Sequence, residues 1–281
     1  MNEDLANAWA FERTLRERTS TEVIPFTGGT AYFDHDAPLR YYSNLLVIDD
    51  PAASPAERWV AEADRLLGER GLTHRIVAVH DASAADRLAM GFVNHGYAVD
   101  RGVLMMLREE PDPDRVPVVV EELTFAEVRA FEEEVLRREP WATDLETLRQ
   151  LTEHHAKLER AVGARFFAAR VDGVLAGCCE LFVLGEEAQI ESVDTLSEFR
   201  GRGLASAFVL AAAAAARQAG VRRIHLWADA DDWPQRWYAK LGFRPVATVG
   251  DHFLRRPPDA RAVTVVPPSA TATTAKSPDP R

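Results

Sequence analysis

The stretch Glu198–Gly220, EFRGRGLASAFVLAAAAAARQAG, places a cationic, glycine-rich turn directly before a strong helix former. In the turn, Arg200 and Arg202 alternate with Gly201 and Gly203. The first backbone N–H groups of a helix have no internal partner, and the helix dipole adds partial positive charge there. Glycines let these groups approach an anion, and arginines add fork-shaped donors. The pattern therefore predicts a site that holds a phosphate or pyrophosphate.

Spacing excludes two common phosphate-binding loops. A Walker A loop needs a glycine, four residues and then Gly-Lys-Ser/Thr, which this stretch lacks. A dinucleotide fingerprint needs G-x-G-x-x-G, but Ser206 stands at the third glycine position. The stretch is thus another kind of phosphate loop, or a plain turn with solvated arginines.

Two signatures in this sequence resemble those of the GNAT superfamily of N-acetyltransferases. RGRGLA, Arg200–Ala205, resembles the family's acyl-CoA pyrophosphate loop, usually written Q/R-x-x-G-x-G/A, and matches its fixed positions. WYAKLGF, Trp237–Phe243, resembles the second signature, an aromatic helix that ends in Leu-Gly-Phe. Two signatures in the right order are more specific than either one alone. The resemblance covers about Val116–Arg256.

The resemblance implies an α/β (α+β) GNAT acyl-CoA N-acyltransferase fold, with a mixed central sheet flanked by helices, and acetyl-CoA as the co-substrate. Strands Ile190–Thr195 and Ile224–Ala228 are expected to splay and admit the pantetheine arm. A backbone N–H near Val193 or Asp194 would then polarise the thioester carbonyl. The cofactor-binding residues that the resemblance implies are Val193, Asp194, Thr195, Arg200, Gly201, Arg202, Gly203, Leu204, Ala205, Asp231 and Tyr238.

Tyr238 is the predicted general acid. It stands four residues before Gly242, where members of the family often carry a tyrosine beside the CoA sulfur. A phenol with a pKa of about 10 is protonated at neutral pH and can donate to a thiolate. The alternative is an aromatic core residue, a role that Trp237 can fill instead.

Three carboxylates compete for the role of general base. Glu191 lies in the middle of the strand before the loop, where relatives often use a carboxylate, and it is the preferred candidate. Asp194 would point to the opposite face of a regular strand, unless a bulge intervenes. Glu187 is the third candidate, and all three could also be solvent-facing charges.

Asp231 departs from the family pattern, in which many relatives have an asparagine that contacts CoA. Asp231 and Asp232 are interpreted mainly as N-caps of the helix in WPQRWYAKLG, with Pro234 in its first turn. The departure puts the CoA contact at this position in doubt.

Other reactive residues are expected to have no catalytic role. His154 and His155 are adjacent, whereas a helical metal pair needs i, i+4 spacing, so we expect solvated or rim residues and no metal. Cys178 and Cys179 are neighbours on a strand and are not expected to form a disulfide; one of them should be buried. Trp141 either lines the acceptor pocket or packs between helices.

Composition limits the partners. A formal net charge of -11 argues against a nucleic-acid partner and mildly favours a cationic or neutral small substrate. The first residues lack the apolar core of a signal peptide, and no apolar run approaches the roughly 18 residues of a membrane span. We expect a cytoplasmic protein with reduced cysteines and no membrane partner; a homodimer is left open.

The proline-rich, charged segment Arg108–Pro117 predicts a domain boundary near residue 112. This gives an N-terminal domain, 1–112, a catalytic GNAT acetyltransferase domain, 113–256, and a disordered tail, 257–281. In the second domain we predict a strand at 116–121, helices at 124–138 and 144–162, and a hairpin around Asp172–Gly173. A strand at 188–196, a helix to about 219, a strand at 222–230, a helix at 232–242 and one or two closing strands follow.

The first half has the same order of elements near its end, which predicts a diverged internal repeat. Asp81 falls opposite Asp229, and Phe92 stands where Tyr238 would be expected. The place of RGRGLA is taken by DPAASPAERW, which has no glycine. We predict a degenerate GNAT-like half that packs against the catalytic half and walls one side of the acceptor site.

These residues predict an acetyl-CoA-dependent N-acetyltransferase that acts on a primary amine, preferably of a small molecule, by direct attack on the thioester. The alternatives are a sensor that binds acyl-CoA without turnover, and a protein or peptide lysine acetyltransferase. The fold alone does not identify the acceptor.

Overall fold

Eleven strands form one mixed sheet in the computed structural model, which describes residues 2–51, 54–139 and 144–255. Helices flank this sheet, as expected for the α/β class. Trp141 and the predicted tail lie outside the described residues. In the part of the chain that is described, no helix combines the length and apolarity needed to cross a bilayer.

The first half of the chain contributes three helices, five strands and a short 3₁₀ turn at Tyr41–Ser43. In chain order they are α1 Glu3–Thr19, β1 Glu22–Phe26, β2 Gly29–Phe33, β3 Leu45–Ile48, α2 Ala56–Gly68, β4 Arg75–Val79, α3 Ala82–Asn94 and β5 Ala98–Leu107.

The second half contributes four helices and six strands, with 3₁₀ turns at Pro113–Arg115 and Ser197–Phe199. In chain order they are β6 Val120–Leu123, α4 Phe125–Arg137, α5 Leu145–Val162, β7 Arg165–Val171, β8 Val174–Leu184, β9 Glu187–Thr195, α6 Leu204–Gln218, β10 Arg223–Asp229, α7 Pro234–Lys240 and β11 Phe243–Arg255.

The two halves share the sheet because each gives its last strand to the other. The strand order is β1-β2-β3-β4-β11-β5-β10-β9-β8-β7-β6. The last strand of the second half, β11, therefore pairs with β4, and the last strand of the first half, β5, pairs with β10. The two exchanged strands also pair with each other, antiparallel, from Phe243 opposite Leu107 to Leu254 opposite Ala98. The sheet therefore continues from the first half into the second. The predicted domain boundary near residue 112 stays a prediction.

Two irregularities let β11 run as one long strand. The register with β5 shifts between Pro245 and Ala247 and again between Val249 and His252. Proline has no N–H to give to a ladder, so a bulge beside Pro245 avoids a missing hydrogen bond inside the sheet.

Local signals account for the helices and the hairpin around the candidate site. Thr124 and Glu127 form the predicted capping box at the start of α4, and the Asp144 side chain caps α5. The hairpin between β7 and β8 turns at Asp172 and Gly173, both with positive φ, 51° and 80°. Such turns match the twist of paired strands, and this prediction is confirmed.

Two predictions of elements were wrong or incomplete. The strand predicted at 116–121 is β6, which begins only at Val120, and Val119 is exposed. The apolar run VPVVV therefore mostly approaches the strand rather than forming it. Helix α1 was not predicted, because its apolar residues are few, although Trp9 and Phe11 are buried.

Side chains from both halves fill the cores on the two faces of the sheet. Helices α2 and α3 cover one core, in which Phe253 of β11 stacks on Phe92 at 4.2 Å between ring centroids. Helix α6 covers a second core that contains Tyr238 and Phe243. Helices α4 and α5 cover a third core, to which α1 adds Phe11.

The predicted repeat agrees with the order of elements. A parallel strand pair with a helix between its strands occurs in both halves: β3, α2 and β4 in the first, and β9, α6 and β10 in the second. A further helix and a last strand follow in each half. That the first half derives from the same family stays a prediction.

We expect Phe253→Ala and Phe243→Ala each to destabilise the whole chain by about 3–5 kcal/mol. Both rings are fully buried, in different cores, but they belong to one shared strand. Both substitutions should shift the same single unfolding transition in urea, followed by fluorescence and circular dichroism. The exposed Val119→Ala is the control and should change little. Two separate transitions, each sensitive to one substitution, would contradict the shared fold.

Candidate active site

The predicted phosphate loop stands at the N-terminus of α6. Gly201 and Gly203 both have positive φ, 75° and 79°, and Gly203 is the N-cap residue, with no side chain capping the helix. The first N–H to bond back is that of Ala207, which donates to the Gly203 carbonyl at 3.1 Å. The N–H groups of Leu204, Ala205 and Ser206 come before it, so they are free of helical bonds.

The loop fits an anionic phosphate group. A Cβ added at Gly201 would meet no atom within 4 Å, so the backbone there is open to a ligand. Arg200 and Arg202 are exposed. Arg200 Nε donates to the Thr195 carbonyl at 3.0 Å, and the Arg202 guanidinium lies 5.6 Å from the centre of the Phe199 ring. Both cations are therefore held beside the open N–H groups.

The expected gap between β9 and β10 lies next to this loop. The parallel ladder contains three pairs and stops at Gln189 opposite His225, although β9 continues to Thr195 and β10 to Asp229. In the first half, the ladder between β3 and β4 reaches the ends of both strands, and the His80 N–H still donates to the Ile48 carbonyl at 3.3 Å. Only the pair in the second half leaves a gap.

Tyr238 of α7 is buried close to this gap. Its ring packs against Trp237 and Phe243, with centroid distances of 4.5 and 5.9 Å. Burial, with the Glu191 carboxyl next in effect, raises the pKa of Tyr238 well above its ordinary value. The phenol is therefore protonated at neutral pH, and it has the electrostatic neighbours expected of a group near the predicted base.

A bulge in β9 brings Glu191 and Asp194 to the same face of the sheet. Glu180 of β8 lies opposite Glu191 and Cys178 lies opposite Asp194, so two residues of β9 oppose one of β8. Ser192, inside the bulge, has a φ of 49°. In a regular strand, Glu191 and Asp194 would point to opposite faces. The extra residue of the bulge shifts the alternation by one, so both point to the same face here.

Glu191 is a buried carboxyl with a single hydrogen bond. Gln189 Nε2 donates to its Oε1, and its Oε2 is buried with no partner among the described residues. Burial, and then the Glu12 carboxylate, raises the pKa of Glu191 well above its ordinary range. Its rival Glu187 is bound to Arg223 at 2.7 Å at the start of β9. The geometry therefore favours Glu191 over Glu187 as the base.

The remaining residues predicted to bind the cofactor, apart from Asp231, lie on β9 and at the start of α6. Val193, Thr195 and Ala205 are half-buried and Leu204 is buried. Burial, and then the Glu132 carboxylate, raises the pKa of Asp194 well above its ordinary range.

The interpretation of Asp231 and Asp232 as N-caps was wrong. Trp233 is the N-cap of α7, and no side chain caps this helix. Within the described part of the chain, the hydrogen bond that Asp232 accepts comes from the Trp233 N–H, and the exposed Asp231 lies 3.7 Å from Arg101. Proline at the first helical position was predicted correctly, because Pro234 needs no capping bond there.

Of the two adjacent histidines, His154 is buried and His155 is half-buried, so neither is fully solvated, and a place at the rim of the substrate site stays a prediction. The His155 Nδ1 contacts Glu180, and its Nε2 lies 3.8 Å from Glu132. Burial opposes a charged imidazole, but these two carboxylates outweigh it and raise the pKa of His155 to about 9. Burial lowers the pKa of His154 well below its ordinary value. Both cysteines are also fully buried and free, where only one was expected to be buried.

The first half adds charged side chains to the same face of the sheet. Arg16 of α1 donates to Glu12 at 3.1 Å and to the Tyr42 carbonyl at 3.2 Å. Segment 34–44 is bound to α5, since Lys157 contacts Asp34 at 2.6 Å. We call the following set the polar cluster: Glu12, Arg16, Arg40, Glu132, His155, Glu180 and Glu191.

Of this polar cluster, sequence reasoning identified Glu191 as the candidate base and His155 as a solvated or rim residue. A partial signal existed for Glu180, which interrupts the apolar strand CCELFVL. Charges inside an apolar strand are rarely buried without a partner. No signal identified Glu12 or Arg40, since they reach the site only through the packing of the two halves.

The charge of His155 should depend on Glu180. The raised pKa means that the His155 interaction stabilises the fold fully below the unfolded value of 6.5 and is lost as the pH rises through about 9. In Glu180→Gln, the imidazole should titrate at markedly lower pH, as measured by histidine NMR with His155→Gln for assignment. The exposed Glu186→Gln is the control. An unchanged titration in Glu180→Gln would contradict the pairing.

Comparisons with known proteins bear on this site. Residues 123–243 match the model of the Acetyltransferase (GNAT) family. A segment of 107 residues is 28% identical to a protein of Bacillus subtilis (strain 168) named "Putative ribosomal protein bS18-alanine N-acetyltransferase". The match covers 38% of this chain and 66% of that protein, slightly less than two thirds of its length.

Solved structures share the fold over most of the chain. A conserved protein of unknown function from Staphylococcus epidermidis ATCC 12228 is 15% identical, with a TM-score of 0.68, and covers 85% of this chain and 94% of its own. A GCN5-related N-acetyltransferase from Kribbella flavida is 17% identical, with a TM-score of 0.61 and coverage of 91% and 96%. A tandem GNAT protein from the clavulanic acid biosynthesis pathway is 20% identical, with a TM-score of 0.53 and coverage of 80% and 78%. Residues 123–243 therefore form a GNAT acetyltransferase domain, and over this part the chain is similar to members of the GNAT family.

Proposed function

We propose that this chain is an acetyl-CoA-dependent N-acetyltransferase that acts on the primary amine of a small molecule. The observation that carries the proposal is the gap between β9 and β10, which opens beside the uncapped N-terminus of α6. Tyr238 is a buried, protonated phenol, and the buried Glu191 carboxyl is close enough to raise its pKa further. This combination supplies an anion site, an acid and a base around one opening.

The residues divide the chemistry as follows. Acetyl-CoA supplies the acetyl group as a thioester. The N–H groups of Leu204 and Ala205, with Arg200 and Arg202, would hold its diphosphate. Glu191 would take the proton that the amine loses as its nitrogen bonds to the carbonyl carbon. As the carbon–sulfur bond breaks, the Tyr238 hydroxyl would give its proton to the sulfur.

The pKa values fit these assignments. A carboxyl with a raised pKa is a stronger base when ionised, so activity should increase as the pH rises through the pKa of Glu191. The groups that face Glu191 are Glu12 of α1, Glu180 of β8 and Arg40 of segment 34–44. Arg40 opposes the rise that the two carboxylates and burial cause.

A small acceptor is favoured because the first half covers the acceptor face. Helix α1 packs against α5, and the Phe11 ring meets His225 edge-on, with centroids 5.2 Å apart. An extended peptide would need this face open. The Bacillus relative is named for acetylation of a ribosomal protein, so a protein acceptor is the alternative for this chain.

We further propose that the first half is a GNAT-like half without catalytic function. Its strand ladder leaves no gap, and the fully buried Phe92 takes the place of Tyr238. Two free, buried cysteines and a net charge of -11 support a cytoplasmic protein without a nucleic-acid partner.

We expect Gly201→Ala to weaken acetyl-CoA binding more than it weakens the fold. Both Gly201 and Gly220 have positive φ, and both would place a Cβ in open space. The backbone strain, roughly 1–2 kcal/mol, is thus matched, but only Gly201 faces the proposed diphosphate. Isothermal titration should show a higher Kd for acetyl-CoA in Gly201→Ala than in Gly220→Ala. Equal affinities in the two variants would refute the loop assignment.

Release of free CoA thiol from acetyl-CoA, over a panel of small amines, tests the activity. Amine-dependent release should fall about 10²- to 10⁴-fold in Tyr238→Phe, because the ring remains but the proton donor is lost. Acetyl-CoA affinity serves as the check that the site is intact. Tight binding without release for any amine would favour the sensor. Full activity of Tyr238→Phe would show that Tyr238 is not the general acid.

A further inference from the structure

Most charges of the polar cluster are paired with one another. Arg16 binds Glu12 at 3.1 Å. His155 contacts Glu180 and lies 3.8 Å from Glu132. The pairs Arg16–Glu12 and His155–Glu180 are each neutral, and burial raises the pKa of the remaining carboxyl, Glu132, to about 7.

Arg40 and Glu191 are left over. Arg40 Nη1 donates to the Ser43 hydroxyl at 2.7 Å, and among the described residues no carboxylate forms an ion pair with its guanidinium. Glu191 is only 3% exposed, and its Oε2 has no hydrogen-bond partner in the same part of the chain. A buried carboxyl oxygen without a hydrogen bond and a half-buried guanidinium without an ion pair are both costly, unless a ligand pairs with them.

The fold holds the backbone of Arg40 against α5, the helix whose His155 contacts Glu180, the residue opposite Glu191. The Leu39 N–H donates to Gln150 of α5 at 2.8 Å, and the Asn44 side chain donates to the Arg40 carbonyl at 3.0 Å. These bonds fix the backbone of Arg40 against α5 at Gln150, which lies one turn before His154. Burial, and then Arg16, lowers the pKa of Arg40 to about 10, against the opposing effect of Asp34, Glu180 and Glu191. Arg40 in turn lowers the pKa of Glu191, which burial raises.

We propose that Arg40 binds a carboxylate of the acceptor while Glu191 accepts the proton that its amine loses. The acceptor is then an amino acid or a similar amino carboxylate. The inference rests on the proposed function and specifies its substrate class. The planar guanidinium offers two parallel donors that match a carboxylate. A monoanion suits the site better than a phosphate dianion, because Arg40 alone balances one negative charge and a second would stay unpaired near Glu191.

The test compares the standard amino acids with their methyl esters, which keep the amine and lose the carboxylate. With the full chain and acetyl-CoA, thiol release should give a kcat/KM for the best amino acid about 10- to 100-fold above that of its ester. In Arg40→Met, this ratio should fall to about 1, and the ratio is the measure used because a change in the pKa of Glu191 affects acid and ester alike. Arg40→Lys should retain part of the preference, since it keeps the charge but not the fork. Arg58→Met, on α2, is the control and should keep the full ratio.

Other outcomes would overturn the inference. Equal use of acids and esters by the wild type, or an unchanged ratio in Arg40→Met, would refute it while the acetyltransferase stands. A preference for O-phosphoethanolamine over β-alanine would show that the acceptor group bound at Arg40 is a phosphate and not a carboxylate.

Failure of the proposed function has a different signature, in which acetyl-CoA binds but no amine, acid or ester causes thiol release. Thermal shifts of the CoA complex then decide the inference separately. Amino acids should raise the Tm of the wild type and not that of Arg40→Met, and the absence of any such difference would refute it.

Discussion

The pairing of β5 with β11 is the constraint on which the rest of the structure depends. It joins the two halves at the centre of the sheet, with β4 on one side and β10 on the other. Because these strands are exchanged, the first half cannot move away from the second without breaking the sheet. Helix α1 and segment 34–44 are therefore held over the face of β8 and β9 that carries Glu180 and Glu191.

The candidate site depends on two interruptions of regular pairing in β9. The ladder with β10 ends at Gln189, which opens the gap, and the bulge at Ser192 turns Glu191 and Asp194 to one face. Regular pairing would close the gap and would place Glu191 and Asp194 on opposite faces. Irregular backbone of this kind is often found next to active sites, since it aims side chains that a regular strand would alternate.

Local patterns predicted the second half well, because its signals are local. The capping box at Thr124, the cap at Asp144 and the Asp172–Gly173 hairpin each depend on residues close in sequence. The phosphate loop was found in the same way, at the N-terminus of α6. The GNAT assignment, made from two short signatures, is confirmed by the family match over residues 123–243.

What sequence reasoning missed depends on contacts between distant residues. Nothing near His155 in sequence reveals Glu180 and Glu132, the two carboxylates that lie beside its imidazole and keep it charged. The strand exchange was equally invisible, since hydrophobic patterns define a strand but not its neighbours. The roles of Tyr238 and Glu191 stay predictions, whereas the interpretation of Asp231 as a cap failed because Trp233 occupies that position.

The strand exchange also affects how the chain is made. A ribosome delivers the first half long before Phe243–Arg255, yet Arg75–Val79 needs that last strand as its neighbour. Until then, an apolar strand edge stays unpaired and can pair with other chains. Such distant pairing also slows folding, because a long loop must close first. The nascent first half should therefore depend on chaperones until synthesis is nearly complete.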